Sequence, residues 1–203
     1  MGIHERKARE KETLRQEILD AARDLFVREG IQNVSMRRIA DHIEYSPGTI
    51  YLYFKDKSEI VRTLCDETFF KLDQRLRAIK DDTGDPLSSL RRGLRTYIEF
   101  GLQNPHHYLV TFVLPRGLPG DSELHEPIVT GKSCFENLRG IVRMCIEQGL
   151  FRLHDVEEAS QVLWAGIHGI TSLLITRQDF PFIEQTRLVE RLLDVLVEGV
   201  RQR

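Results

Sequence analysis

Apolar residues recur at three- and four-residue steps through Leu14, Ile18, Ala21, Ala22, Leu25 and Phe26. That spacing paints one stripe along an amphipathic helix, and Gly30 stands where such a helix should end. Ser35 then offers an N-cap, and Met36, Ile39, Ala40 and Ile43 repeat the pattern over only about two turns. After the link Glu44-Tyr45, Ser46 caps a third helix with Pro47 at its first position, where the missing N–H costs nothing. Asp56 and Glu59 read as a capping box ahead of Ile60, Val61, Leu64, Thr68, Leu72, Leu76 and Ile79, a fourth helix about 35 Å long.

Further on, Asp85-Pro86 opens one helix, Asn104-Pro105 opens another, and Pro115 closes the latter. The stretch Pro115 to Pro127, with three prolines and two glycines, reads as a surface loop. Helices follow from about Ile128 to Gly149, from Asp155 with Glu158 to about Thr176, and through Leu188, Leu192, Val195, Leu196 and Val200. No alternation of period two is long enough for a strand. The pattern predicts an all-α chain of about nine helices, without a fixed-period repeat.

Composition narrows the class. In 203 residues, 41% hydrophobic and 30% charged side chains suit a globular protein. No apolar run approaches a membrane span, and the charged start does not resemble a signal peptide, so the expected location is the cytoplasm and no membrane partner is expected. Cys65, Cys134 and Cys145 form no CxxC pair and read as reduced, buried thiols. The net charge of −2 is spread unevenly. Residues 1–62 carry twelve basic and eleven acidic side chains, and Arg6, Lys7, Arg9, Lys11 and Arg15 face only Glu5, Glu10 and Glu12. This basic arm, residues 1–13, could track phosphates or simply stand solvated.

Two short helices on a tight link, resting on a longer one, outline a helix-turn-helix. The major groove admits one helix whose first residues reach base edges. Pro47 and Gly48 leave the tip of the third helix bare enough for its backbone N–H groups to approach DNA, while Thr49 and Tyr51 add hydroxyls beside apolar surface. Ile50 and Phe54 lie on the face expected to pack under the first helix, leaving Tyr51 and Leu52 to point elsewhere.

At these residues the chain resembles the TetR family of bacterial transcriptional regulators. The resemblance covers Ile18 to Ile60, through "LFVREG", "VSMRRIADHI" and "SPGTIYLYFKDK". It implies a DNA-binding domain over residues 1–60 and a larger ligand-binding and dimerisation domain over 61–203. It also implies a homodimer on an inverted-repeat operator, a repressor released by a small-molecule effector. Carried over by position, Ser35 and Arg37 fall on phosphate and base contacts of the second helix. Pro47, Gly48, Thr49 and Tyr51 fall on recognition-helix contacts, and Tyr53 and Lys57 on backbone contacts. Pro47 and Leu52 stand where many members carry polar residues, which shifts the expected specificity toward apolar contacts, Arg37 and DNA shape.

In the C-terminal part, Trp164-Ala165-Gly166-Ile167-His168-Gly169 looks like the signature of a subclass named for its Trp, His and Gly. Trp164 and His168, four apart on one helix face, are ligand-cavity candidates, with a packed core pair as the alternative. Tyr108 and Phe112, on the helix after Asn104-Pro105, are further candidates for a hydrophobic or aromatic guest. His106 and His107 point about 100° apart, a poor arrangement for one metal. With no phosphate loop, HExxH, nucleophile elbow or CxxC, neither an enzyme nor a cofactor is expected. The competing function is a helical small-molecule receptor or enzyme that has lost DNA binding. The last two helices, roughly Val156 to Thr176 and Glu184 to Val200, carry wide apolar faces suited to a four-helix dimer bundle.

Overall fold

The structure, a computed structural model, describes residues 2–80, 85–115 and 129–202. Among them are nine α-helices: α1 (Ile3–Glu29), α2 (Met36–His42), α3 (Pro47–Tyr51), α4 (Lys57–Lys80), α5 (Pro86–Gln103), α6 (Pro105–Tyr108), α7 (Val129–Glu147), α8 (Val156–Thr176) and α9 (Gln185–Val200). A 3-10 turn, Ile31–Asn33, joins α1 to α2, and a π-helical segment, Leu109–Val113, follows α6. No strand occurs among the described residues, which carry one isolated bridge, Phe151 to Arg201. The all-α expectation is met.

Two local expectations change. The basic arm continues α1 back to Ile3, because Arg, Lys and Glu are good helix formers even where no apolar stripe marks the period. The helix after Asn104 is α-helical only through Tyr108 before its hydrogen bonds loosen to the π pattern. Most of the loop expected between Pro115 and Pro127 lies outside the described residues.

The described residues form two compact units, within Met1–Thr68 with His106–Ile128 and within Phe69–Pro105 with Val129–Arg203. These packing units are drawn differently from the functional division expected at residue 60. The first takes in the opening turns of α4, together with α6 and the π segment.

In the first unit, α1 buries Ile18, Leu19, Ala22, Leu25 and Phe26, α2 buries Ile39 and Ala40, and Ile50, Phe54, Ile60, Val61 and Leu64 complete the core. The helix ends follow the sequence signals. Gly30, at φ 83°, turns the chain out of α1 while its N–H bonds to the Phe26 carbonyl at 3.0 Å. Ser35 Oγ accepts from Arg38 N at 3.1 Å, and Ser46 Oγ from Thr49 N at 3.2 Å. At α4, Asp56 accepts from Glu59 N at 2.8 Å, while the Glu59 carboxylate reaches back to Lys55 N at 2.6 Å.

The second unit packs α5 against α7, α8 and α9, with α8 also against α7 and α9. Leu90, Leu94, Ile98, Phe100, Val142, Leu163, Ile167 and Leu193 fill its core. Two polar clusters lock it. Buried Asp73 on α4 accepts from Asn137 at 2.8 Å and Ser133 at 3.1 Å, both on α7, and from Arg77 at 2.6 Å. Arg91 on α5 meets Glu190 and Asp194 on α9 at 2.9 and 2.8 Å, and Arg95 joins Glu190. Gly166 packs against α9: a Cβ on it would lie 2.7 Å from the end of the Leu196 side chain, which would have to shift to admit it. All three cysteines are buried, and burial pushes the Cys134 thiol up to about 12 and Cys145 to about 11.

Candidate nucleic-acid interface

Helix α3 divides by face. Ile50 is fully buried and Phe54 nearly so, whereas Tyr51 is 56% exposed and Leu52 78%. Tyr45, on the link before the helix, is exposed as well. Gly48 is exposed, and a Cβ placed on it would meet nothing closer than Ser46 Oγ at 3.7 Å. Packing therefore does not require glycine at this position. What a side chain there would restrict is access from outside to the first N–H groups of the helix.

The expected contact residues are not equally available. Arg37 is exposed on α2, its guanidinium 3.9 Å from Asp41, a distance that holds it weakly. Ser35 and Thr49 are partly committed: Ser35 Oγ caps α2, and Thr49 Oγ1 is 2.9 Å from Ser46 Oγ. Pro47 and Tyr53 are half-buried. Lys57, expected at the phosphates, meets backbone carbonyls in this chain. Its ammonium lies 2.6 Å from the Ile31 carbonyl, 2.8 Å from that of Val34 and 3.3 Å from that of Gln32. An ammonium has three donors, and all three find carbonyls here. Lys57 thus ties the start of α4 to the turn between α1 and α2, and burial lowers its pKa.

Two supports were not anticipated. Arg38 clasps Glu29 with its Nε at 3.1 Å and a second nitrogen at 2.6 Å, joining α2 to the end of α1 and holding the Glu29 carboxyl below its usual range. Residues nine apart across a helix break carry no periodic signal. Glu44 adopts φ 60°, the left-handed conformation, in the turn between α2 and α3. A non-glycine residue there is strained, and its presence could be suspected only from the shortness of the link.

The four expected ligand-binding residues fall in two pairs, one in each unit. Tyr108 is fully buried, its ring 4.9 Å from Phe112. Nearby in the same unit, His107 lies 2.9 Å from Arg23 and 3.2 Å from Thr68, and His106 lies 3.0 Å from Asp24. In the other unit, Trp164 is 38% exposed, 5.5 Å from the His168 ring and 6.1 Å from Phe135. His168 Nδ1 is 3.3 Å from the Tyr97 hydroxyl, and burial lowers its pKa. Among the described residues, no group of three or more His, Cys, Asp or Glu side chains could hold a metal ion. No described helix is long and apolar enough to cross a membrane.

Comparison with known proteins gives this arrangement a family. Residues 18–64 match the model for bacterial regulatory proteins of the tetR family, and residues 90–196, over half of the chain, match the tetracyclin repressor-like C-terminal domain. The chain belongs to the TetR family of transcriptional regulators. Neither match names the Trp-His-Gly subclass. An HTH-type transcriptional regulator of Staphylococcus aureus is 32% identical over 90 residues, 44% of this chain and 49% of that one. The chain spans about half the length of the curated relatives it matches. The fold of this TetR-family chain also resembles the fatty acid degradation regulator FadR from Bacillus halodurans, with TM-score 0.77, 21% identity and coverage of 93% and 97% of the two chains. FadR from Bacillus subtilis in complex with stearoyl-CoA gives 0.75, 23%, 91% and 98%. PfmR from Thermus thermophilus gives 0.73, 23%, 91% and 99%.

Proposed function

We propose that this TetR-family regulator is a homodimeric repressor that binds an inverted-repeat operator through α3 and is released by a small hydrophobic effector. The observation that carries the reading is the divided face of α3: Ile50 and Phe54 hold the helix to the core while Gly48, Tyr51 and Leu52 stand outward. Gly48 and Pro47 give close approach to the backbone, Tyr51 and Leu52 an apolar surface for thymine methyls, and Arg37 a base or phosphate contact. Ser35, Thr49 and Tyr53 supply hydroxyls for phosphate oxygens, and Lys57 contributes by bracing the motif.

Dimerisation is supported by side chains that the isolated chain leaves uncovered. Val162, Leu173 and Val195 are exposed on α8 and α9, and Gly169 would have nothing within 4 Å of an added Cβ. Val162, Ala165, Gly169 and Leu173 follow one another at three- and four-residue steps, a stripe a second copy could cover. Two α3 helices about one DNA turn apart would then require a two-fold related site. The hydrophobic effector is supported by the aromatic pairs Tyr108 with Phe112 and Trp164 with His168. The stearoyl-CoA held by the Bacillus subtilis neighbour makes long-chain acyl-CoA a reasonable first probe.

Fluorescence anisotropy on duplexes from the DNA flanking its own gene tests the reading. Specific binding should weaken steeply with salt and be reversed by stearoyl-CoA or a comparable apolar ligand. No shift of any such duplex at low salt would favour the receptor without DNA binding instead.

A further inference from the structure

We propose that the N-terminal extension of α1 is a second DNA-contacting element, a helical stripe of Lys7, Lys11 and Arg15 that grips the phosphodiester backbone flanking the bases reached by α3. The inference rests on the reading of α3 as a DNA-binding helix. These three residues stand four apart, so they share one sector of the helix. Ile18, Ala22 and Phe26 carry the same sector onward, and they are buried in the helix-turn-helix core. The face of α1 that packs against the motif therefore continues past it as a basic face.

Arg15 fixes where that change occurs. Its guanidinium lies 5.1 Å above the ring of Phe54, three residues beyond the end of α3. From Arg15 the stripe runs back about 12 Å to Lys7, at about 1.5 Å per residue. The acidic residues flank the stripe and do not interrupt it. Glu5 lies on the far side of the helix from Lys7, Glu10 is paired with Arg6 at 3.3 Å, and Glu12 borders the stripe beside Arg15. Residues 5–13 are all exposed, so no tertiary packing within the chain accounts for this extension. An unpacked helix of this length is marginal on its own, and a polyanion along its basic side would stabilise it.

An anionic membrane fits less well. Between Glu5 and Thr13 the only apolar side chain is Ala8, and a helix that lies in a lipid interface needs an apolar face. The contact would be with phosphates and carry no base information, which predicts a contribution to affinity shared by all duplexes.

The test uses the full chain and compares Lys7→Gln with Lys11→Gln in one double variant against Arg6→Gln with Arg9→Gln in another. The two doubles remove the same charge, one on the stripe and one off it. Binding is read by anisotropy on a flanking-region duplex and on an unrelated duplex of equal length, over salt from about 50 to about 200 mM. The stripe variant should lower the slope of log affinity against log salt by about one unit per lysine in each bound protomer. Its affinity should fall about tenfold at the low-salt end, equally on both duplexes, while the off-stripe variant stays close to the parent. Equal effects of the two doubles, or an unchanged slope in the stripe variant, would overturn the proposal while leaving α3 as a DNA-binding helix. A parent protein that binds no duplex would overturn that underlying reading as well. Stripe-dependent binding of the parent to vesicles of phosphatidylserine and phosphatidylcholine, without stripe-dependent DNA binding, would assign the surface to lipid and refute it.

Discussion

Helices α3 and α8 both leave apolar side chains in solvent, but the residues around them differ. On α3 the exposed Tyr51 and Leu52 sit beside side chains that are already committed: Ile50 to the core, Ser46 and Thr49 to each other. On α8, Leu173 is half exposed and a Cβ on Gly169 would meet nothing within 4 Å, while a Cβ on Gly166 a turn away would meet Leu196. A finished helix with a few outward residues suits a polar partner that comes and goes. A helix with an uncovered apolar stripe suits a permanent partner of the same kind, since burying such a stripe is driven by the area removed from water.

The sharpest way to break the first half of this contrast is to separate neighbours. Ile50→Ala should cost about 2–5 kcal/mol of stability, because it empties a fully buried site. Tyr51→Ala, one residue on, should leave stability within about 0.5 kcal/mol and weaken DNA binding by about tenfold or more. Urea unfolding and anisotropy on the same proteins separate the two. If Tyr51→Ala unfolded the chain as readily as Ile50→Ala, the division of α3 by face would be wrong.

The second half breaks on the α8 and α9 stripe. Leu173→Glu combined with Val195→Glu should leave the isolated chain folded, since both side chains are exposed in it. In a dimer it would place charges in a dry interface at a cost of about 2 kcal/mol or more, raising the dimer dissociation constant about thirtyfold or more. Sedimentation velocity reads this directly. A variant with the parent's oligomeric state would mean that the stripe is not the interface.

These tests also mark how far the sequence alone could be read. The local signals were sound. Ser35, Ser46, Asp56, Asp85 and Asp155 each accept backbone N–H groups at the helix starts where composition put them. What could not be read was anything set by a distant partner. The carbonyls that hold Lys57 belong to residues 23 to 26 positions earlier, and an exposed motif lysine looks the same on paper whether it meets a phosphate or a carbonyl. The helical continuation of α1 left a propensity signal in Arg, Lys and Glu, but a search for apolar period passes over it. For Trp164 and His168 the periodicity put two rings on one face without deciding between cavity and core. The structure adds that Trp164 is partly open to solvent and that His168 meets Tyr97.

Three smaller effects refine the contrast at the level of the backbone. Glu44→Gly should stabilise the chain by about 1 kcal/mol, since glycine adopts the left-handed turn without the clash that Glu44 bears. Gly169→Ala should raise the stability of the isolated chain by up to about 1 kcal/mol, through helix propensity in open space. Gly166→Val should lower stability by about 1–3 kcal/mol, because Leu196 occupies the space. Thermal unfolding of the three proteins measures these differences. A stabilising Gly166→Val would contradict the close approach of α9 to α8.

The smallest effect concerns His168, and its sign follows from its surroundings. The ring is partly buried against Trp164 and near the Tyr97 hydroxyl, and burial lowers its pKa from the ordinary 6.5. The unfolded chain therefore takes up this proton at a higher pH than the folded chain does. Stability from the neutral ring is intact above about pH 6.5, falls as the pH drops from there toward the folded pKa, and then levels off. His168→Gln cannot titrate, so the variant should lose less stability than the parent between about pH 7.5 and about pH 5.5, the other histidines contributing equally to both. The comparison is read as the change in the urea midpoint over that interval. Parallel losses in the two proteins would show that the His168 ring titrates alike folded and unfolded, and would return it to the solvent-facing side of α8.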